Sequence, residues 1–117
     1  MRLFYYLSTC QTCNRIIREL DLDDSIQKID IKINPINKHQ LNYLYKIEGY
    51  YENLINKRAQ LFKTLGLSNK VLEENDYKKL LLKHYTFLKR PLLVYDNYLF
   101  IGNSSKVTIE MKKFLSE

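Results

Sequence analysis

Residues 3–20 read LFYYLSTCQTCNRIIREL, and three patterns follow one another within them. Leu3–Leu7 is an unbroken apolar run, which suits a strand buried on both faces rather than one with a wet side. Ser8 and Thr9 interrupt it. Cys13, Ile16, Ile17 and Leu20 then recur at i, i+3, i+4 and i+7, the spacing of one face of a helix. The stretch predicts strand, tight loop and helix, with both cysteines of the chain, Cys10 and Cys13, at the junction.

Working outward, Ile29, Ile31 and Ile33 alternate with Lys28, Asp30 and Lys32, the period of a second strand. A strand reached through a helix completes a βαβ unit, so the sheet is expected to begin parallel. Asn37 is placed to cap a helix that carries Leu41, Leu44 and Tyr45 on one face and ends at Gly49. Residues 50–67 and 73–85 continue as predicted helices. Leu92–Tyr95 and Tyr98–Ile101 are two apolar runs joined by Asp96-Asn97, a pair suited to the positive φ of a tight hairpin. Beyond Gly102, Asn103-Ser104-Ser105 supplies caps for a last amphipathic helix with Val107, Met111, Phe114 and Leu115. The expected class is α/β, in the order βαβ, helical block, ββα. One domain is expected over 1–117, with a helical insertion at about 37–86 between its halves.

The chain carries 19 Lys and Arg against 13 Asp and Glu, a net charge of +6. These cations are spread along the sequence rather than blocked, so the charge selects no partner and no direct nucleic-acid contact is expected. At 117 residues a core can form without staples, and two cysteines are too few for a secreted disulfide scaffold. No apolar run approaches the ~20 residues that span a bilayer, and Met1-Arg2-Leu3 leads directly into the strand pattern without a signal-like segment. The expected setting is cytoplasmic, away from membranes.

A cysteine between a strand and the first turn of a helix meets free backbone N–H groups and the positive end of the helix dipole. Both stabilise thiolate over thiol, and thiols so placed can fall from ~8.5 to roughly 3.5–7.5. Cys10 is thus a candidate nucleophile. Cys13 lies on the apolar face with Ile16 and Ile17, where it acts second or serves as a small core residue. A zinc site would need two more ligands, and His39 and His84 each stand alone on lysine-rich segments, so no metal is expected.

Four pieces in this order resemble one family. They are Tyr6-Leu7-Ser8-Thr9-Cys10-Gln11-Thr12-Cys13; Leu54-Ile55-Asn56-Lys57-Arg58 with Leu65-Gly66-Leu67; Phe87-Leu88-Lys89-Arg90-Pro91-Leu92-Leu93-Val94; and Ile101-Gly102. The chain resembles the thioredoxin-like family that contains the glutaredoxin-linked arsenate reductases and the transcription regulator Spx. The resemblance implies a thioredoxin-like fold with a mixed four-stranded sheet. It further implies Cys10 as nucleophile, Arg58 and Arg90 holding an oxyanion or the thiolate, and a cis-proline at Pro91. Thr9, Thr12 and Pro91 would contact the substrate, a small thiol or an oxyanion. Cys13 or glutathione would resolve the adduct, with glutathione or a glutaredoxin or thioredoxin partner as electron donor and no tightly bound cofactor. The arsenate reductases of this type carry a third arginine at the end of the fourth strand, where this chain reads Leu99-Phe100-Ile101-Gly102-Asn103. An intact C-x-x-C is also a feature of Spx, so the alternative reading is a redox-sensing regulator that binds RNA polymerase.

Overall fold

The apolar run near the N-terminus forms β1 (Arg2–Tyr6), an inner strand of a four-stranded sheet, in a computed structural model that describes Met1 through Glu117. Helix α1 (Gln11–Leu20) carries the chain back so that β2 (Gln27–Asp30) pairs parallel with β1, Tyr6 opposite Asp30. On the other side of β1, β3 (Leu92–Tyr95) runs antiparallel with Tyr5 opposite Leu92, and β4 (Tyr98–Ile101) completes the order β2-β1-β3-β4. The sheet is mixed, as expected for a thioredoxin-like fold.

Phe4 and its cross-strand partner Leu93 share one face. They pack with Ile16 and Leu20 of α1, with Ile26, and with Met111 of α5 (Ser105–Leu115). On the opposite face Leu3, Tyr5, Leu92 and Val94 are buried as well. Burial on both faces is why residues 3–7 show no polar alternation. The Asp96 turn takes φ 54, and the Ser104 hydroxyl caps α5 by accepting the Val107 N–H at 3.2 Å.

Cα proximity divides the chain into two units, a sheet unit of Met1–Asn34 with Arg90–Glu117 and a helical unit of Pro35–Lys89. The helical unit begins with α2 (Lys38–Glu48), which has a full capping box: Asn37 Oδ1 accepts the Gln40 N–H at 2.8 Å and Gln40 Oε1 accepts the Asn37 N–H at 3.1 Å. It ends at Gly49 with φ 92, a left-handed conformation that glycine adopts without strain.

Three expected elements are corrected by the structure. Residues 50–67 are not one helix but a 3-10 turn at Glu52–Leu54, a short α3 (Gln60–Thr64) and part of a second 3-10 turn at Leu67–Asn69. The break lies where Ile55 bridges Leu88, Asn56 N–H donates to the Phe87 carbonyl at 2.7 Å, and Lys89 N–H donates to the Leu54 carbonyl at 2.8 Å. Those bonds to a distant segment replace the intrahelical ladder. Helix α4 (Glu74–Lys83) likewise stops short of residue 85, because His84 is extended and its Nδ1 accepts the Thr86 N–H. The second strand ends at Asp30 rather than running through Ile33, since the Asp30 carbonyl accepts the N–H groups of Ile33 and Asn34 in a turn. Ile33 is 73% exposed as a result.

Packing at Ile16 joins α1 to the sheet, so Ile16→Ala is expected to cost about 2–5 kcal/mol and lower the urea midpoint. Ile109→Ala, at an exposed position of α5, is expected to stay within about 0.5 kcal/mol. The Tyr5 hydroxyl is buried without a partner, so Tyr5→Phe should leave stability unchanged or raise it; a clear loss would show that the hydroxyl is satisfied.

Candidate functional site

β1 ends at Tyr6, and the chain turns at once. The Cys10 N–H donates to the Leu7 carbonyl at 2.9 Å, and the Cys10 carbonyl accepts the Asn14 N–H at 3.1 Å as the first helical bond. Cys10 is therefore the N-cap residue of α1, with extended backbone angles (φ −95, ψ 111). Most caps offer a side-chain oxygen to the free N–H groups of the first turn. Here no side-chain hydrogen bond of that kind forms, and the Cys13 and Thr12 N–H groups bear instead on the Cys10 sulfur. Cys10 is half-buried, whereas Cys13 is fully buried, and both are free thiols.

Two opposed effects set the ionisation of Cys10. Burial, the largest, disfavours the thiolate. The N–H of Cys13, the Cys13 thiol, the charge of Arg90 and the N–H of Thr12 together outweigh it, and the Cys10 pKa falls below that of an ordinary thiol. For Cys13 burial wins: with the added effect of Cys10 beside it, its pKa is pushed up to about 11. At neutral pH the buried thiol stays protonated and donates toward the sulfur that ionises. Attack by Cys10 is the chemistry this asymmetry permits.

Arg90 reaches this loop because of strand register. Leu92 lies opposite Tyr5, so the Arg90-Pro91 peptide, which is cis, comes alongside the end of β1 where the cysteine loop begins. The Pro91 carbonyl accepts the Gly102 N–H at 2.9 Å, with Gly102 at φ 98, which anchors the start of β3 against the end of β4. Arg90 is half-buried, and its Nη1 is buried without a hydrogen-bond partner. A guanidinium nitrogen left unpaired is a donor available to an anion.

The sheet unit thus brings together Cys10, Thr12, Cys13, Arg90 and Pro91. Thr9 is exposed in the loop. Arg58 belongs to the helical unit, is exposed, and has its N–H held at 3.1 Å by Asn56 Oδ1 in the segment clasped to residues 87–89. Two residues of the cysteine loop's surroundings escaped the sequence reading. Asp30 is buried and its carboxylate accepts the Ser8 N–H at 3.3 Å, while the Asn14 amide donates to the Ser8 carbonyl at 2.9 Å. In the sequence Asp30 alternates with Ile29 and Ile31 like the exposed lysines on either side, so no local signal separates it from them. No group of three or more His, Cys, Asp or Glu side chains is gathered where it could hold a metal ion, and no helix is long and apolar enough to cross a membrane.

A family model described as the ArsC family matches residues 5–111, which span the cysteine loop, both arginines and most of α5. The chain belongs to the ArsC family. A curated relative, the global transcriptional regulator Spx 2 of Bacillus anthracis, is 27% identical over 119 residues, covering 98% of this chain and 87% of the relative. Among solved structures, one described as a possible arsenate reductase from Streptococcus mutans is 30% identical with a TM-score of 0.70, covering 90% of this chain and 92% of that one. The arsenate reductase from Vibrio cholerae shares the ArsC fold at a TM-score of 0.77 and 17% identity, over 94% of this chain and 96% of its own.

For this ArsC-family chain, limiting iodoacetamide at pH 7.5 is expected to modify Cys10 and spare Cys13, read by mass spectrometry. The Cys10 rate–pH midpoint should lie below the ~8.5 of a free thiol. Arg90→Gln should move it upward, because removing a cation penalises the thiolate. A wild-type midpoint at or above 8.5 would contradict the site.

Proposed function

We propose that this ArsC-family protein is a thiol-dependent oxidoreductase in which the Cys10 thiolate attacks a disulfide or an oxyanion. The supporting observation is the half-buried Cys10 sulfur at the start of α1, favoured as thiolate by Cys13, Arg90 and Thr12, next to a guanidinium nitrogen with no partner. On a disulfide, Cys10 bonds to one sulfur, the S–S bond breaks, and the other sulfur leaves as a thiolate that takes a proton from water. The Cys13 thiol can then lose its proton and attack the Cys10 sulfur, releasing the bound sulfur as a thiolate, whereas an external thiol such as glutathione attacks the bound sulfur, leaves joined to it as a mixed disulfide and frees the Cys10 thiolate. On the Cys13 route a Cys10–Cys13 disulfide forms, and an external dithiol or two molecules of glutathione must return two electrons.

In the reading proposed here, Arg58 adds a second guanidinium to Arg90, and Thr9, Thr12 and Pro91 contact the substrate. The protein acts as one cytoplasmic domain, with glutathione or a glutaredoxin or thioredoxin partner as donor. Cys13 with a pKa of about 11 is ionised to only about one part in 10,000 at pH 7, against a few per cent for an ordinary thiol. An external thiol therefore competes with it as the resolving group. Cys10→Ser is expected to abolish glutathione-dependent reduction of a small disulfide, and Cys13→Ser to retain a measurable rate and accumulate a glutathione adduct on Cys10. Activity that survives in Cys10→Ser would refute the assignment.

Arsenate is expected to be a poor substrate. Leu99–Asn103 offers no arginine where the arsenate reductases of this type place their third. Lacking one charge-assisted hydrogen bond of about 1.5–3 kcal/mol slows a charge-developing step by about ten- to a hundredfold. Efficient arsenate turnover by the unmodified protein would show that another cation supplies that contact.

The relative named as a regulator favours a second reading, in which Cys10 and Cys13 form a redox switch and RNA polymerase is the partner. Capture of purified RNA polymerase that depends on oxidation of the pair, with no thiol transfer in the same preparation, would replace the enzyme reading.

A further inference from the structure

Asp30 is the one carboxylate buried in the sheet unit, 7% exposed, and taking a charge out of water is costly unless it is held by donors. Its donors are the Ser8 N–H at 3.3 Å and the Lys32 N–H at 3.2 Å, both on Oδ1, and the Ser8 side chain also bears on the carboxylate. Burial disfavours its ionised form, but hydrogen bonds from Ser8 and Lys32, with the Lys32 charge, prevail and keep it below the ordinary carboxylate range. Ser8 is held on its carbonyl side too, that oxygen accepting from the Asn14 Nδ2 at 2.9 Å. Asn14 in turn stands in the first turn of α1, its N–H on the Cys10 carbonyl at 3.1 Å. The end of β2, the cysteine loop and the start of α1 are tied through one residue, Ser8, by the two peptide groups that flank it, two residues before Cys10.

We propose that Asp30 is a positioning residue for Cys10: with Asn14 it fixes the two peptide groups on either side of Ser8, and so holds the Cys10 sulfur at the start of α1. The role rests on the reading of Cys10 as the attacking thiolate. With those two peptide groups free to rotate, the turn from Leu7 to Cys10 would let the sulfur swing away from the start of α1. The groups that bear on Cys10 are Cys13, Arg90 and Thr12, so Asp30 works through hydrogen bonds to the loop rather than through its charge on the sulfur. Asparagine keeps an acceptor oxygen at the same place; alanine does not.

The test is the pH profile of Cys10 alkylation by iodoacetamide in the full chain, with circular dichroism as the check on folding. Asp30→Ala is expected to move the midpoint upward and cut the rate at pH 7 by roughly three- to tenfold, and Asp30→Asn to restore it to within about twofold of wild type. Asn14→Ala, a change at a partly exposed helix position, should shift the profile the same way and carries the test if Asp30→Ala does not fold. A lowered wild-type midpoint that is unchanged in Asn14→Ala and in folded Asp30→Ala overturns the positioning role and leaves the nucleophile standing. Asp30→Asn as impaired as Asp30→Ala also overturns it, since charge and not the hydrogen bond would then matter. A wild-type midpoint in the ordinary thiol range overturns the nucleophile reading itself.

Discussion

The pairing of β1 with β2 on one side and β3 on the other is the constraint on which the cysteine end of the molecule depends. Tyr6 opposite Asp30 sets the end of β2 beside the point where β1 gives way to the loop. Tyr5 opposite Leu92 sets the cis Arg90-Pro91 peptide there from the other side. A one-residue slip in either register would turn Phe4 or Leu93 out of the core shared with Ile16 and Met111. Core packing therefore fixes the position of the charged groups, although none of those groups belongs to the core.

On that frame, two identical side chains one helical turn apart reach opposite states. Cys10 and Cys13 both lose ionisation to burial, which is the largest effect on each. Cys10, half-buried at the helix start, recovers more than it loses from N–H groups, a neighbouring thiol and Arg90. Cys13, fully buried, does not. A thiol favoured as thiolate beside one kept protonated follows from depth and direction along one helix. ArsC-family membership places this pair in a setting shared by proteins described as arsenate reductases and as a transcriptional regulator. Fold alone does not decide which chemistry such a pair performs; this chain sets Arg90 beside Cys10 and has no arginine at the end of β4.

The helical unit shows the opposite economy, in which irregular backbone is built from long-range bonds. Leu54–Asn56 is zipped to Phe87–Lys89, and Glu74 takes the Tyr51 and Glu52 N–H groups at 2.6 and 3.1 Å, capping a 3-10 turn from another helix. Lys57 pairs with Glu52, which also accepts the Tyr77 hydroxyl at 3.3 Å. Arg58 follows directly, its own N–H on Asn56. The segment that carries this arginine is held by its neighbours' main chains and not by helical propensity.

The sequence by itself determined the strand, loop and helix of residues 2–20, the Asp96 hairpin, the caps at Asn37, Gly49 and Ser104, and the family resemblance. Each of these is written in residues within a few positions of one another, where period, turn chemistry and capping act directly. Tertiary structure alone decided that residues 50–67 break into short turns, that β2 stops at Asp30, and that Asp30 is buried while Lys28 and Lys32 stay exposed. It also decided how far the two cysteines diverge. Backbone bonds between distant segments and the loss of water around a side chain arise only when the chain has closed on itself, so no local pattern announces them.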